Sequence, residues 1–291
     1  MFRCRVVSFS ALLCFSFFVA AAPAAAAASA CVWRVSNSHG GTLYLGGSVH
    51  ALRSSDYPLP PAYNRAFDAS SRLVFEVDEQ ALMRASKGLV KVGQYRKGDS
   101  LKNHVDPRTY AYVRRVFALL KIPESTFAQF RPWLLVMMIQ APHAYGLSER
   151  LGVEEFLAKR ARATAKPVSG LETAHEHMAV FSELNDRESE TLLLLTFIPS
   201  GGEADAADRI LKAWRRGDAD ALAADVHNGF REFPSFGKRM LDVRNRRWIP
   251  KIESLLQSGH TYFVVAGAGH MGGPNGVVPL LRARGYQVEQ L

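Results

Sequence analysis

The sequence contains few cysteines, and no two of them are placed to cross-link the folded chain. Of three cysteines in 291 residues, Cys4 and Cys14 lie near the start and Cys31 is the third. The first 30 residues have the layout of a secretory signal peptide, with a basic start, an apolar run and small residues at the end. Cleavage after Ala30 would leave residues 31–291 with one cysteine and no intramolecular disulfide. Such an exported chain must be stabilised by its apolar core.

Beyond the leader, the sequence lacks an apolar run long enough to predict a transmembrane segment. It also lacks a long basic tail or a basic patch interleaved with aromatic residues. The formal net charge of +9 is spread along the chain, so a nucleic-acid partner is not expected. Cys31 has a second interpretation as the lipidated first residue of a lipoprotein, although Ala28 is a poor match to the aliphatic residue usual at that position. A lipid anchor is therefore an alternative.

Several common catalytic signatures are missing: the sequence has no HExxH, no GxSxG and no cysteine pair spaced for zinc. A GxGxxG pattern occurs once, over residues 267–272. We do not expect a dinucleotide site there, because His270 occupies the turn and little sequence follows for the later strands of such a domain. The segment His175-Glu176-His177 is predicted to be a surface helix, since residues two apart point to different faces.

The apolar patterns predict strands near both ends of the chain and helices between them. Residues 31–50 are typical of a hairpin, and a mainly helical region covers residues 80 to 257, interrupted by a short strand at 166–172. We therefore expect an α/β or α+β fold. Its central mixed sheet is built from the N- and C-terminal strands, and a large helical lobe is inserted between them. Further strands are predicted at 72–78, 262–266 and 287–291.

Titratable residues follow four of these predicted strands. Two of them, His50 and His270, end copies of the same Gly-x-x-His pattern, and two acids, Glu76 and Glu172, occupy similar positions. If the strands are parallel, their carboxyl ends meet at one edge of the sheet, where ligands bind in open α/β sheets. Two imidazoles and two carboxylates in one cleft indicate a metal site or an acid–base site.

Five segments carry a family resemblance: YLGGSVH with Pro58-Leu59-Pro60, LVFEVD, KPVSGLET, Arg244-Asn245 with Trp248, and AGAGHMGGPNGVVPLLRARGYQVE. With these segments, nearly the whole of residues 31–291 resembles the TraB/GumN family, which includes the TIKI proteases. One departure is Glu154, where relatives often have Asp. The resemblance implies a fold similar to that of TIKI proteins and erythromycin esterases, and metal-dependent hydrolysis of a peptide or protein. Because of the signal-peptide pattern, we expect this activity in the periplasm or cell envelope of a bacterium.

The resemblance maps the metal ligands onto His50, Glu76 and His270. Two imidazoles and one carboxylate leave coordination positions for water and substrate, and they suit Mn²⁺ or Zn²⁺, with Co²⁺ as an alternative. The rival hypotheses are a metal-independent, esterase-like hydrolase and a non-catalytic envelope protein that binds a small ligand, haem or a peptide.

Three further residues have predicted roles in catalysis. Glu172 is the candidate general base, or a partner that fixes a histidine tautomer. Arg244 is expected to hold a substrate carboxylate or a developing oxyanion, and Asn245 to add a hydrogen bond. Arg244 and Asn245 are equally well explained as helix-surface residues tied to the sheet edge.

Overall fold

The computed structural model describes residues 30–139, 147–197 and 203–291, so the predicted leader lies outside the described residues except for Ala30. The centre of the fold is a six-stranded mixed sheet with the strand order β4-β3-β5-β2-β1-β6. The strands are β1 (Val32–Ser36), β2 (Thr42–Ser48), β3 (Arg72–Val77), β4 (Val168–Glu172), β5 (Tyr262–Gly267) and β6 (Gln287–Gln290).

The sheet combines a parallel half with an antiparallel half. Strands β2, β5, β3 and β4 are parallel neighbours, whereas β1 pairs antiparallel with both β2 and β6. This confirms the predicted α/β class and the mixed sheet drawn from both ends of the chain. The short strand from the middle of the sequence, β4, forms one edge of the sheet.

Helices cover the sheet and form the region between β3 and β5. The predicted segments mostly match them, although Ser235 to Leu256 is a helical run that includes a π-helical turn, Arg239–Val243. The helices are α1 (Pro61–Ala69), α2 (Glu79–Val92), α3 (Pro107–Leu119), α4 (Glu124–Phe127), α5 (Pro132–Ile139), α6 (Val153–Ala163), α7 (Ala174–Ser182), α8 (Asp186–Thr196), α9 (Glu203–Arg215), α10 (Ala219–Gly229), α11 (Pro234–Lys238), α12 (Arg244–Gln257) and α13 (Val277–Arg282).

Buried apolar side chains form two clusters. The larger one packs both faces of the sheet and includes Trp214 and Trp248, each with no exposed surface. The smaller one lies among the inserted helices and includes Trp133 and Phe236. None of the helices in the described ranges combines the length and the apolar character that crossing a bilayer requires.

The inserted helical region contains a charged cluster around His104. The His104 Nδ1 atom lies 2.9 Å from Asp186 Oδ2, and its Nε2 atom lies 2.7 Å from Asp99 Oδ2. The imidazole also stacks on the ring of Tyr95, with 4.2 Å between the ring centroids. Burial alone would lower the pKa of His104, but the two aspartates outweigh it and raise that pKa.

The start of the described chain is part of the core. The Cys31 side chain has no exposed surface, and burial raises the pKa of its thiol to about 12. The Ala30 N–H donates to the carbonyl oxygen of Leu291 over 2.8 Å, and the Gln290 amide donates to the Ala30 carbonyl oxygen over 2.9 Å. A lipid chain on the Cys31 sulfur would have to occupy the space of the packed core, so the sulfur would have to leave that core.

Candidate functional site

The carboxyl ends of the four parallel strands lie at one level across the sheet. Ser48 at the end of β2 pairs with Gly267 at the end of β5, and Val77 at the end of β3 pairs with Glu172 at the end of β4. Strand β3 lies beside β5 in register from its first residue. The predicted side chains are therefore delivered to one edge of the sheet, at His50, Glu76, Glu172 and His270.

The second Gly-x-x-His motif is fixed by hydrogen bonds. The Gly267 N–H donates to Glu76 Oε1 over 2.7 Å. The Asn245 side-chain amide donates to the Asn275 carbonyl oxygen over 2.9 Å, which turns Asn245 Oδ1 towards His270 Nδ1 at 2.6 Å. The Nδ1 atom of His270 must therefore bear the proton, leaving a lone pair on Nε2. Burial lowers the pKa of this imidazole to about 4.

The guanidinium of Arg244 joins two strand ends beneath the site. Its Nε and Nη2 atoms both donate to Glu172 over 2.9 Å, to Oε1 and Oε2 respectively, and Nη2 also lies 2.5 Å from Glu76 Oε2. Nη1 lies 3.2 Å from His270 Nε2. Burial opposes ionisation of Glu76, but the basic groups around it and the Gly267 N–H hold its pKa well below the usual range.

Arg244 and Asn245 are buried, 4% and 1% exposed, rather than on the surface of a helix. The π-helical turn directly precedes both residues, and a π turn rotates the following residues relative to a regular helix. Their donor groups are directed at protein atoms. The Asn245 amide donates to Asn275, and the Arg244 guanidinium faces Glu172, Glu76, the Met240 carbonyl oxygen, His270 Nε2 and His177 Nδ1. In this arrangement both residues position other side chains.

Glu172 is held by a complete set of partners. Besides Arg244, it accepts a hydrogen bond from Trp248 Nε1 over 2.9 Å and lies 3.2 Å from His177 Nδ1. Burial opposes its ionisation, but these hydrogen bonds outweigh burial and lower its pKa to about 2. A carboxylate with so low a pKa is a weak general base. The geometry thus favours the second of its two predicted roles, as a partner that orients other site residues.

The first Gly-x-x-His motif contacts helix α6. His50 Nδ1 lies 3.1 Å from Glu154 Oε1, which also accepts a hydrogen bond from Ser48 Oγ over 2.5 Å. The His50 side chain is 78% exposed, and the charge of Glu154 raises the pKa of its imidazole to about 9. The other carboxylate oxygen of Glu154 is buried and has no hydrogen-bond partner among the described residues. An unpaired buried carboxylate oxygen is costly, so this atom is open to a cation or a donor.

A cleft of about 870 Å³ opens over this edge of the sheet. Among the residues that line it are His50, Glu76, Glu154 and His177, with Val168 and Lys166 near the start of β4. The other predicted site residues, Glu172, Arg244, Asn245 and His270, are buried and are not among the lining residues. The cleft size matches sites that enclose a small molecule or a short peptide segment.

Sequence reasoning missed two contributors to this site. His177 was expected on a surface helix, but it contacts both Glu172 and Arg244, while His175 two residues earlier is exposed as expected. The helix start explains the difference, since Thr173 and Glu176 form a capping box that orients the first turn of α7 beside the end of β4. Ser48 was not predicted as a site residue, because a serine at the end of a strand is common and does not by itself indicate a functional role.

Whether the site fits a metal ion depends on the predicted ligands His50, Glu76 and His270. Within the described ranges, no group of three or more ligating side chains is arranged to hold a metal ion. The donor chemistry nevertheless fits a divalent cation. His270 is neutral, and its Nε2 atom, which faces Arg244 Nη1 at 3.2 Å, lies 3.7 Å from Glu76 Oε1. Glu76 and Glu172 share the Arg244 guanidinium, Glu154 pairs with the exposed His50 imidazole, and the second oxygen of Glu154 has no hydrogen-bond partner among the described residues.

Comparison with known proteins gives distant relatives. The chain is 27% identical over 192 residues to a "Metalloprotease TIKI homolog" from Amphimedon queenslandica, a match covering 56% of this chain and only 37% of that protein. It is 24% identical over 246 residues to "Uncharacterized protein YbaP" from Escherichia coli (strain K12), covering 82% and 87% of the two chains. An "Uncharacterized protein" from Treponema pallidum (strain Nichols) is 26% identical over 279 residues, covering 87% and 80%.

No solved structure has a significant match to this chain. The family model spans residues 31–290, which include all six strands and both Gly-x-x-His motifs. The chain belongs to the TraB/PrgY/gumN family.

Proposed function

We propose that this chain is an exported hydrolase that cleaves peptide bonds in the cleft at the carboxyl edge of the sheet, with a divalent metal ion as its cofactor. One observation carries the proposal: the strand ends bring His50 and Glu76 to the wall of one cleft, and the neutral His270 is buried with its Nε2 atom 3.7 Å from Glu76 Oε1. The distant metalloprotease relative supports the class of reaction.

His50, Glu76 and His270 would hold the metal ion. Bound there, a divalent ion lowers the pKa of a water molecule and polarises the scissile carbonyl group. Imidazole and carboxylate donors suit Mn²⁺ or Zn²⁺, with Co²⁺ as an alternative. Asn245 fixes the His270 tautomer that presents Nε2, as an outer partner of a metal-binding histidine does. Arg244 anchors Glu76 through Oε2, which leaves Oε1 directed towards His270.

The remaining side chains of the cleft position His50 and the substrate. Glu154, itself held by Ser48, orients the imidazole of His50 through Nδ1. His177 lines the cleft beside Glu76 and can hydrogen-bond a polar group of the substrate. Export to the periplasm or cell envelope is part of the proposal and follows from the signal-peptide pattern at residues 1–30.

The test is a metal measurement combined with peptide cleavage. The mature chain is purified without a histidine tag, its metal content is measured, and a mixed peptide library is digested and analysed by mass spectrometry. We expect one metal ion per chain, and loss of both metal and cleavage in His50→Ala, Glu76→Gln and His270→Ala. The matched control is His39→Ala, since His39 is exposed in the β1–β2 turn.

Other outcomes would contradict the proposal in distinct ways. A folded wild-type protein that retains no metal and gains no cleavage on addition of Mn²⁺, Zn²⁺ or Co²⁺ would refute it. Cleavage by metal-free protein that disappears in His50→Ala would identify a metal-independent, esterase-like hydrolase. Binding of a small ligand, haem or a peptide without turnover would identify an envelope binding protein.

A further inference from the structure

Within the described part of the chain, no strand pairs with the outer side of β4. Strand β4 is the last strand on that side, and Val168, Ser169 and Gly170 are all exposed. The opposite edge strand, β6, has a different surface, because its Glu289 forms an ion pair with Arg34 of β1. An exposed strand edge is a ready surface for pairing with another extended chain.

The register shows which backbone groups of β4 point outwards. Leu73 of β3 is opposite Val168, and its N–H donates to the Pro167 carbonyl oxygen over 2.9 Å. In a parallel ladder this pattern means that Pro167, Ser169 and Leu171 bond to β3, whereas the N–H and C=O groups of Val168 and Gly170 point away from it. No hydrogen bond from another described residue reaches these outward groups.

The open edge meets the cleft at the first residue of β4. Val168 and Lys166 line the cleft at the start of β4, and the strand runs from there to Glu172, which is bonded to the Arg244 guanidinium beneath Glu76. Five residues of strand span roughly 13 Å. A chain paired along this edge would therefore extend over about four residues and lead to the strand ends where the candidate metal ligands lie.

From these observations we infer that the outer edge of β4 binds an extended segment of the peptide substrate as an added strand of the sheet. The inference rests on the proposed peptide hydrolysis and specifies how the substrate is held. Backbone pairing supplies affinity that depends little on side chains. A second copy of this chain is the competing occupant of such an edge, but the continuity of Val168 with the cleft favours the substrate.

Val168→Pro is the direct test. Proline at the first residue of an edge strand removes an outward N–H, which leaves the ladder with β3 intact. Val168→Ala is the matched control, because it shortens the side chain and keeps the N–H. With an unstructured, fluorescence-quenched octapeptide as substrate, we expect Val168→Pro to raise KM about tenfold and Val168→Ala to change it less than twofold. Equal KM values for the two variants, with matching thermal unfolding, would overturn the inference.

A second measurement does not require cleavage. Binding of two fluorescein-labelled octapeptides is followed by fluorescence anisotropy. One peptide is N-methylated at its odd-numbered residues and the other at its even-numbered residues. Strand addition predicts that one of the two peptides binds and that the affinity of the other is lower by about tenfold or more, since only alternate N–H groups of the peptide face the edge of β4. If the wild type cleaves nothing but shows this difference, the proposed hydrolysis fails and the binding edge stands. Equal binding of both peptides, no binding of either, or a dimer that Val168→Pro dissociates would overturn the edge assignment.

Discussion

Removal of the Arg244 guanidinium is the perturbation with the largest expected effect on the fold. In Arg244→Met the side chain keeps much of its volume and loses its charge. Glu172 loses two hydrogen bonds of 2.9 Å and Glu76 loses one of 2.5 Å. Their side chains are only 5% and 13% exposed, so water cannot fully replace the missing partner.

The magnitude follows from the burial of both acids. Breaking a buried ion pair by removing one partner costs about 3–5 kcal/mol, because an uncompensated charge remains in the interior. Arg244 serves two such acids, so the loss should lie at the upper end of that range. In the double variant Arg244→Met/Glu172→Gln, one of the stranded charges is also removed, and the Gln side chain can still accept from Trp248. We therefore expect the double variant to lose at least about 1 kcal/mol less than the sum of the single losses.

Urea unfolding at pH 7 in the presence of EDTA measures these free energies, with the chelator present so that metal binding does not contribute. Arg247→Met is the control, because Arg247 is an exposed arginine three residues further along α12. This substitution should change the free energy of unfolding by less than about 0.5 kcal/mol. A loss below about 1 kcal/mol in Arg244→Met, or strictly additive losses in the double variant, would refute the idea of a buried cation that neutralises the site.

Two further substitutions test the packing and the charges around the fold. In Gly152→Ala, the new Cβ would lie 2.1 Å from the His50 carbonyl oxygen, so we expect urea unfolding to show a loss of about 1–3 kcal/mol in the free energy of unfolding. Gly88→Ala is the control, because its Cβ would meet no atom within 4 Å, and it should be neutral or slightly stabilising. Equal effects of the two substitutions would contradict the predicted clash at Gly152. The raised pKa of His104 means that its charged form stabilises the fold at low pH and that this contribution is lost as the pH rises through its folded-state pKa. His104→Gln should therefore destabilise by about 0.5–1 kcal/mol more at pH 6 than at pH 9, and a larger loss at pH 9 would reverse the sign.

The strand ends were the part of the site that the sequence could predict. Each is a short apolar run with a titratable residue at its end, and such runs are visible without knowledge of the fold. The parallel direction of all four strands is set by the connections between them. Strand β5 lies between β2 and β3 in the sheet, although it comes from the C-terminal part of the chain. Sequence reasoning could state parallel pairing as a condition, and the structure supplies it.

The roles of the side chains beneath the cleft could not be read from spacing. Arg244 follows a π turn, and a π turn has no sequence signature strong enough to predict the direction of the next side chain. Spacing also could not show that His50 pairs with Glu154, since α6 is brought against the β2 end by tertiary packing, including the Val153 N–H bond to the Val49 carbonyl oxygen. The role of a residue that acts by positioning another residue can be assigned only from the three-dimensional structure.

The burial of Ala30 and Cys31 bears on the cleavage site predicted for the N-terminal segment. Once β1 is paired with β6, the bond between these two residues lies inside the core, where a peptidase cannot reach it. If the cut fell there before folding, the new terminal ammonium would have to be buried with Cys31, at a cost of several kcal/mol. A cut before Ala30 would place the ammonium on the Ala30 nitrogen, which donates to the Leu291 carbonyl oxygen, and would keep the hydrogen bond that the Gln290 amide donates to the Ala30 carbonyl oxygen. If the predicted leader is cleaved near Ala30, the position of the new N terminus is therefore linked to closure of the sheet.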